Sequence, residues 1–126
     1  MSFSNTYETT VLTWTFTANT ATRPTAWYLG LYTSVGGEGA PGTEVTGGSY
    51  VRKTVAFTIT GNTASNTAAV EWPTATASWG TVSDIAVLDA ITGGNVIAYA
   101  TLDAAKTIST GDVFRVPAGD LDITLD

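Results

Sequence analysis

Two carboxylates near the C-terminus come closest to a catalytic pair in this sequence. Asp120 and Asp122 lie two positions apart in a segment that alternates as a strand does, so both side chains point to one face. Two carboxyl groups can act as acid and base in the hydrolysis of a glycosidic bond. No aromatic-lined cleft can be inferred beside them, and acidic residues at a sheet edge also prevent aggregation between sheets. We therefore assign no catalytic residue.

Two glycine-containing segments resemble ion sites without meeting their requirements. Residues 89–95, DAITGGN, place oxygen ligands beside glycines but lack the Asp or Asn register and the distal Glu of a calcium loop. Residues 36–48, GGEGAPGTEVTGG, lack the Gly-Lys-Ser/Thr of a phosphate loop and carry two glutamates, Glu38 and Glu44. We interpret residues 89–95 as a hairpin turn and assign neither a metal nor a cofactor to the chain.

Composition narrows the function classes further. The chain of 126 residues has no Cys and no His, which excludes thiol nucleophiles, Ser-His-Asp triads and zinc sites built on imidazole or thiolate. Five basic and eleven acidic residues give a net charge of −6, which disfavours nucleic acids and anionic membranes as partners. No apolar run approaches the length of a membrane span. We expect a non-enzymatic protein with no nucleic-acid, membrane or small-molecule substrate partner.

The N-terminal segment carries the helix signal of the chain. Asn5 and Glu8 have the spacing of a capping box, and four apolar residues recur at helical intervals. Residues 9–17 are rich in threonine and partly alternate, which favours a strand. We predict a short helix over residues 6–16, within an N-terminal helical segment 1–19. The residues that share its apolar stripe are Phe3, Tyr7, Val11 and Trp14.

From residue 20 onward the pattern predicts strands separated by Gly, Asn and Pro, with turns at Gly61-Asn62, Gly93-Gly94-Asn95, Gly111-Asp112 and Ala118-Gly119. The 25 threonines suit a pleated surface that is polar without being charged. The spacing of short strands and turns is typical of a mainly β, jelly-roll-like antiparallel two-sheet sandwich, forming one compact unit over residues 20–126. The predicted strands are 25–33, 50–60, 68–72, 82–88, 95–102, 113–116 and 121–125.

Four Trp and five Tyr form the most prominent set of side chains. Exposed rings of this kind can stack on sugars, so a carbohydrate-binding β-sandwich module is one alternative. Packing in the interior is the other explanation, because a small sandwich with few Leu and Ile needs bulky side chains to fill it. We predict that most of these rings are core residues.

The order of motifs along the chain resembles a family of small virion proteins of tailed bacteriophages, whose members are labelled tail-fibre-like or hypothetical. The resemblance covers nearly the whole chain. The motifs that carry it are Asn5-x-x-Glu8, WYLGLYT at 27–33, GTEVTGGSYVR at 42–52, WPTAT at 72–76, WG at 79–80, DAITGGN at 89–95, Lys106, GD at 111–112 and AGDLDITLD at 118–126.

The resemblance implies a structural protein of the virion. We expect a capsid decoration, or cement, protein that is synthesised in the host cytoplasm and located on the outer surface of the capsid. It would act as a homotrimer that stabilises the shell by bridging subunits of the major capsid protein. A tail-fibre or tail-tip component is the alternative within the same class.

Two surfaces are candidates for contact with such partners. The stripe of Phe3, Tyr7, Val11 and Trp14 must be buried against the sandwich or a neighbouring subunit. The glycine-rich loop 34–49 is expected to be mobile before it meets the capsid or a neighbouring protein, with Glu38 and Glu44 facing a basic patch. Arg52, in an apolar strand, is expected to pair with a carboxylate of the chain itself.

Overall fold

The computed structural model describes residues 1–34, 36 and 42–125 of the chain. Strands dominate these residues, and the helix lies near the N-terminus. In chain order the elements are β1 (Ser2–Phe3), α1 (Asn5–Phe16), β2 (Tyr28–Tyr32), β3 (Lys53–Thr54), β4 (Phe57–Thr60), β5 (Thr63–Asn66), β6 (Val70–Glu71), β7 (Gly80–Leu88), β8 (Val96–Ile108), β9 (Arg115–Val116) and β10 (Asp122–Thr124).

The strands pair antiparallel in three hydrogen-bonded groups. A five-stranded sheet has the order β1-β8-β7-β2-β3, a three-stranded sheet the order β10-β5-β4, and β6 pairs with β9. The predicted class, mainly β and antiparallel with one short N-terminal helix, is confirmed. The hydrogen bonding divides the strands into sheets of five, three and two, where the sequence pattern suggested two sheets.

The five-stranded sheet is covered on both faces at its centre. Alternate residues of β7 enter two different clusters, with Ile85 and Val87 in the larger core and Ala86 and Leu88 packed with Tyr32 in a smaller one. Residues 84–88 are therefore buried without interruption, as expected for a strand with both faces covered. Burial on both faces agrees with the four successive apolar residues 85–88, IAVL, which do not alternate with polar ones.

Two of the four tryptophans fill the core, as predicted for the aromatic set. Trp72 is almost fully buried and meets the ring of Phe114 edge-on at 5.3 Å. Trp79 is also buried, and its ring stands edge-on to that of Tyr50 at 5.6 Å. Trp14 and Trp27 are exposed, so the interpretation of the rings as core residues does not extend to them.

The helix occupies residues 5–16 instead of 6–16, and its N-cap is Ser4 and not Asn5. The Ser4 hydroxyl accepts a hydrogen bond from the Tyr7 amide at 3.2 Å, which satisfies one of the free N–H groups of the first turn. The Ser4 amide in turn donates to the carbonyl of Ile97 at 2.8 Å. Pairing of β1 with β8 thus fixes the residue at which the helix begins.

Two strands were not predicted, and one predicted segment is divided. β1 is too short to show a pattern, and β5 has the sequence TASN, which contains no alternating large apolar residues. The expected turn at Gly61 joins β4 to β5, with Gly61 in the left-handed region at φ +61°. Segment 50–60 contains both β3 and β4. Within the described residues, no helix is long and apolar enough to cross a lipid bilayer.

Candidate interaction surface

The predicted apolar stripe is covered only at its beginning. Phe3 and Tyr7 pack against the core, with their ring centroids 5.3 Å apart. Val11 is half-buried, and Trp14, one turn further, is 68% exposed. The helix begins against β8, and its C-terminal half extends away from the sheets. The side chains of the stripe therefore change from buried to exposed along the helix.

A second row of side chains runs along the opposite side of the helix. Glu8, Leu12 and Phe16 follow one another at intervals of four residues, the spacing of a helix ridge. Leu12 is 57% exposed and Phe16 is 78% exposed. The C-terminal half of α1 therefore presents apolar residues on two sides, although a surface helix ordinarily covers one apolar side and leaves the other polar.

Beside the helix lies an open groove of about 820 Å³. It is bounded by the start of α1, by the segment before β2, and by the three-stranded sheet β10-β5-β4. Arg23 is the charged residue among those that line it, and no acidic side chain takes part. The apolar residues of the lining include Phe3, Tyr7, Trp27, Phe57, Ile59, Ile97, Ile123 and Leu125.

Glu44 is held inside the chain by three hydrogen bonds to side chains. Arg52 binds it through two nitrogens, with Nε 2.8 Å from Oε2 and Nη2 2.9 Å from Oε1. The hydroxyl of Tyr50 donates to Oε2 at 2.7 Å and itself accepts from the amide of Leu31 at 2.9 Å. The expectation that Arg52 pairs with a carboxylate is confirmed. We call Glu44, Tyr50 and Arg52 the polar cluster.

Arg52 also ties the polar cluster to the turn between β7 and β8. Its Nη1 donates to the carbonyls of Ala90 and Gly93, each at 2.8 Å. The same turn is closed by Asp89, which accepts from the amide of Asn95 at 2.7 Å. The interpretation of residues 89–95 as a hairpin turn agrees with this geometry, because Asp89 caps the turn.

The polar cluster shifts the ionisation of its members in opposite directions. Burial alone would raise the pKa of Glu44, but the hydrogen bonds from Arg52 and Tyr50 outweigh it, so the pKa lies below its ordinary value. The hydrogen bonds to Glu44 raise the pKa of Arg52. Burial, together with the negative charge of Glu44, raises the pKa of Tyr32 to about 12. Burial likewise raises the pKa of Tyr50. Glu44 and Arg52 therefore carry opposite charges throughout the neutral range.

The glycine-rich loop is anchored at the positions that the structure describes. The amide of Gly36 donates to the buried carboxylate of Asp84 at 2.8 Å, and the amide of Thr43 donates to Ser34 Oγ at 2.7 Å. Glu38 lies outside the described residues. Glu44 has an internal role that the sequence did not indicate, and its contact with a partner remains a prediction.

The acidic residues near the C-terminus have structural contacts. Asp122 accepts a hydrogen bond from Ser65 across the pair of β10 and β5, and the amide of Asp120 donates to the carbonyl of Pro117 in a turn. The part of the chain that the structure describes contains no group of three or more side chains placed to hold a metal ion.

The sequence identified the helix stripe but not the groove beside it. Groove residues come from six separate segments, and Arg23, Trp27 and Ile59 carry no shared motif that would bring them together. One residue could have indicated the groove. Ile59 is an apolar residue in a strand, and its side chain is 68% exposed on the solvent side.

Comparison with protein families identifies the group to which this chain is related. Residues 2–124 match the family described as "Podophage GP4 fiber I protein gp80". A search of curated proteins finds no match. The matched range includes both α1 and all ten strands, so the similarity extends over the helix, the groove and the polar cluster alike. The chain belongs to this podophage fibre protein family, a family of tailed-phage structural proteins of the virion.

Proposed function

We propose that the protein is a non-enzymatic fibre subunit on the outside of the phage particle, at the tail or tail tip. The observation that carries the proposal is the match to a fibre protein family over residues 2–124. The exposed apolar end of α1 and the groove support it, because large apolar patches on small proteins mark sites of association. The subunit is proposed to act as a homotrimer.

Decoration of the capsid is the second candidate function. It is favoured by the polar but weakly charged surface, since only 16 of 126 residues carry charge and uniform charge would repel closely spaced copies. In this role each trimer would bridge subunits of the major capsid protein. Contacts of roughly 1,000–2,000 Å², repeated within a trimer, give avidity without any one contact being strong.

The number of copies per particle separates the two candidates. A capsid decoration protein is repeated over the whole icosahedral shell and reaches hundreds of copies, whereas a fibre is present in a few to a few tens. We would measure its ratio to the major capsid protein in purified particles by quantitative mass spectrometry, and locate it with gold-labelled antibodies. A low count with label at the tail supports the fibre, and a high count with label on the shell supports decoration. Absence from purified particles contradicts both.

A further inference from the structure

We propose that the groove binds the C-terminal half of α1 from a second copy of the chain. In this arrangement the ridge of Leu12 and Phe16 enters the neighbour's groove, while the donor's own groove receives the ridge of a further copy. This inference deepens the proposed function, because it rests on a homo-oligomer and assigns the surfaces that join its subunits.

The first argument is that the chain carries both halves of such a contact. A projecting ridge with Leu12 and Phe16 mostly exposed lies on the same molecule as an open apolar groove. The ridge from Glu8 to Phe16 is about 12 Å long at about 1.5 Å per residue. The groove, at about 820 Å³, lies within the range of roughly 300–1,000 Å³ that pockets need to enclose large apolar groups.

The second argument is charge complementarity. The residues that line the groove include Arg23 and no carboxylate, so a chain of net charge −6 can approach it without local repulsion. The helix ridge carries one charge, Glu8, four residues before Leu12. Within the described chain Arg23 has no ion pair. A docked ridge brings the Glu8 of one copy to the rim where the partner's cation lies.

The third argument is the area available for burial. Trp14 lies seven residues after Tyr7, on the same side of α1 as that groove residue, and is 68% exposed. Aromatic side chains bury about 150–250 Å² each. Phe16, 78% exposed, contributes to this area on one copy, and Trp14 (68%) and Trp27 (36%) contribute on the other. These rings supply a part of the roughly 800 Å² per partner of a standard interface.

The geometry also constrains the assembly. Because the donor's own groove receives the ridge of a further copy in this arrangement, the contact is heterologous, and every copy both gives and receives a helix. Such contacts close into a ring or extend into a filament. A homotrimeric ring uses every ridge and every groove once and leaves neither exposed.

Crosslinking tests which surfaces meet. The chain has no cysteine, so Thr15→Cys, next to Phe16 and exposed, and Ile59→Cys can be placed in two differently tagged, co-expressed copies and treated with a short bismaleimide. We expect a crosslinked pair that contains both tags. Ile91→Cys, at a residue of the β7–β8 turn that is 55% exposed and outside the groove, replaces Ile59→Cys as the control and should give no pair with Thr15→Cys. Pairs formed only between two Thr15→Cys copies would show helix against helix and overturn the proposal.

Sedimentation velocity of the full chain tests the energetics. The double variant Leu12→Ser/Phe16→Ser should raise the dissociation constant by about thirtyfold or more, as expected for residues at the centre of an interface. Ile91→Ser should leave it unchanged. Reversing one charge, as Glu8→Arg or Arg23→Glu, should weaken association by about threefold to tenfold, and combining both changes should restore it.

Two results would overturn this assignment without deciding whether the protein is a fibre subunit, and the first would also contradict the proposed homotrimer. Wild-type protein that is monomeric at every concentration, with the cysteine pair unreactive, would leave another virion protein as the occupant of the groove. An oligomer that keeps its affinity in Leu12→Ser/Phe16→Ser would place the interface elsewhere. In both cases the copy number and the site of labelling on the virion would still test the fibre function independently.

Discussion

The polar cluster and the apolar groove differ in how far their side chains find partners within their own chain. In the polar cluster every charged oxygen of Glu44 has a donor from the chain itself, at distances of 2.7–2.9 Å. In the groove and on α1, large apolar side chains lie exposed with no cover from their own chain. The difference indicates that the cluster stabilises the subunit, and it supports the proposal that the groove and helix serve contacts between subunits.

The largest expected effect on stability comes from removing the cation of the polar cluster. Arg52→Ala leaves Glu44 half-buried without its bidentate partner and frees the carbonyls of Ala90 and Gly93. We expect the free energy of unfolding to fall by about 3 kcal/mol, since breaking one side of a buried ion pair leaves an uncompensated charge. Urea denaturation followed by tryptophan fluorescence measures the change.

An exposed arginine provides the matched control for this experiment. Arg115→Ala removes the same charge from β9, where the side chain is solvent-exposed, and should change the free energy of unfolding by no more than about 0.5 kcal/mol. Equal losses in the two variants would show that the cluster contributes nothing beyond a surface charge.

The next largest effect concerns the turn that supports Tyr50. Gly48 has φ +59°, and a Cβ there would lie 2.7 Å from the carbonyl oxygen of Ala77 and 2.8 Å from Nε1 of Trp79. That indole nitrogen donates to the carbonyl of Gly48 at 2.9 Å. Gly48→Ala therefore combines backbone strain with a steric clash, and we expect a loss of about 2 kcal/mol or more.

The neighbouring glycine separates strain from clash. Gly47 also has a positive φ, at +76°, but a Cβ at that position meets nothing within 4 Å. Gly47→Ala should therefore cost only the strain, about 1 kcal/mol. If both variants lose the same stability in thermal unfolding, close packing of Trp79 on the turn is not what requires Gly48.

Sequence reasoning succeeded where local chemistry decides the structure. The helix, the buried strand β7 and the turn at Gly61 follow from periodicity and from glycine at a left-handed position. It also indicated that Arg52 would find a carboxylate, because a charge in an apolar strand needs a partner. The helix and the turn depend on neighbours within a few residues of one another, whereas the Arg52 prediction required a carboxylate without naming which one.

Features for which the fold brings distant segments together were not predicted from the sequence. The pairing of Tyr32 with Glu44 across the glycine-rich loop turns Glu44 toward Arg52, and no local pattern records that bridge. β5 is held by its partners β4 and β10 and not by its own composition. The groove depends on six segments at once, so its existence is a property of the fold and not of any motif.

A smaller effect is expected from protonation of the polar cluster. The pKa of Glu44 is lower in the folded protein than in the unfolded chain, where a Glu titrates near about 4.3. Its contribution to stability is therefore complete above the unfolded pKa and is lost as the pH falls through the folded pKa. The difference in unfolding free energy between wild type and Glu44→Gln should shrink over that acidic range.

The control is an exposed glutamate. Glu71→Gln, on β6, replaces a carboxylate that has no hydrogen bond to a cation in the described chain. Its difference from wild type should vary less with pH than that of Glu44→Gln. A wild-type advantage over Glu44→Gln that persists unchanged to the most acidic pH would exclude the ionised carboxylate as its source.

The smallest expected effect on the subunit itself comes from Phe16, the residue that contributes most to the proposed interface. Phe16 is 78% exposed and makes no contact with the core, so Phe16→Ser should alter the unfolding free energy of dilute, dissociated protein by about 0.5 kcal/mol or less. At high concentration the wild type should gain stability from association, while Phe16→Ser should not, because only folded subunits bind one another. Unfolding curves over a wide range of protein concentration therefore distinguish a role of Phe16 in association from a role in the stability of the subunit.

A variant that is destabilised even when dilute would place Phe16 with the polar cluster among the residues that stabilise the fold. A concentration dependence equal to that of the wild type would remove it from the interface.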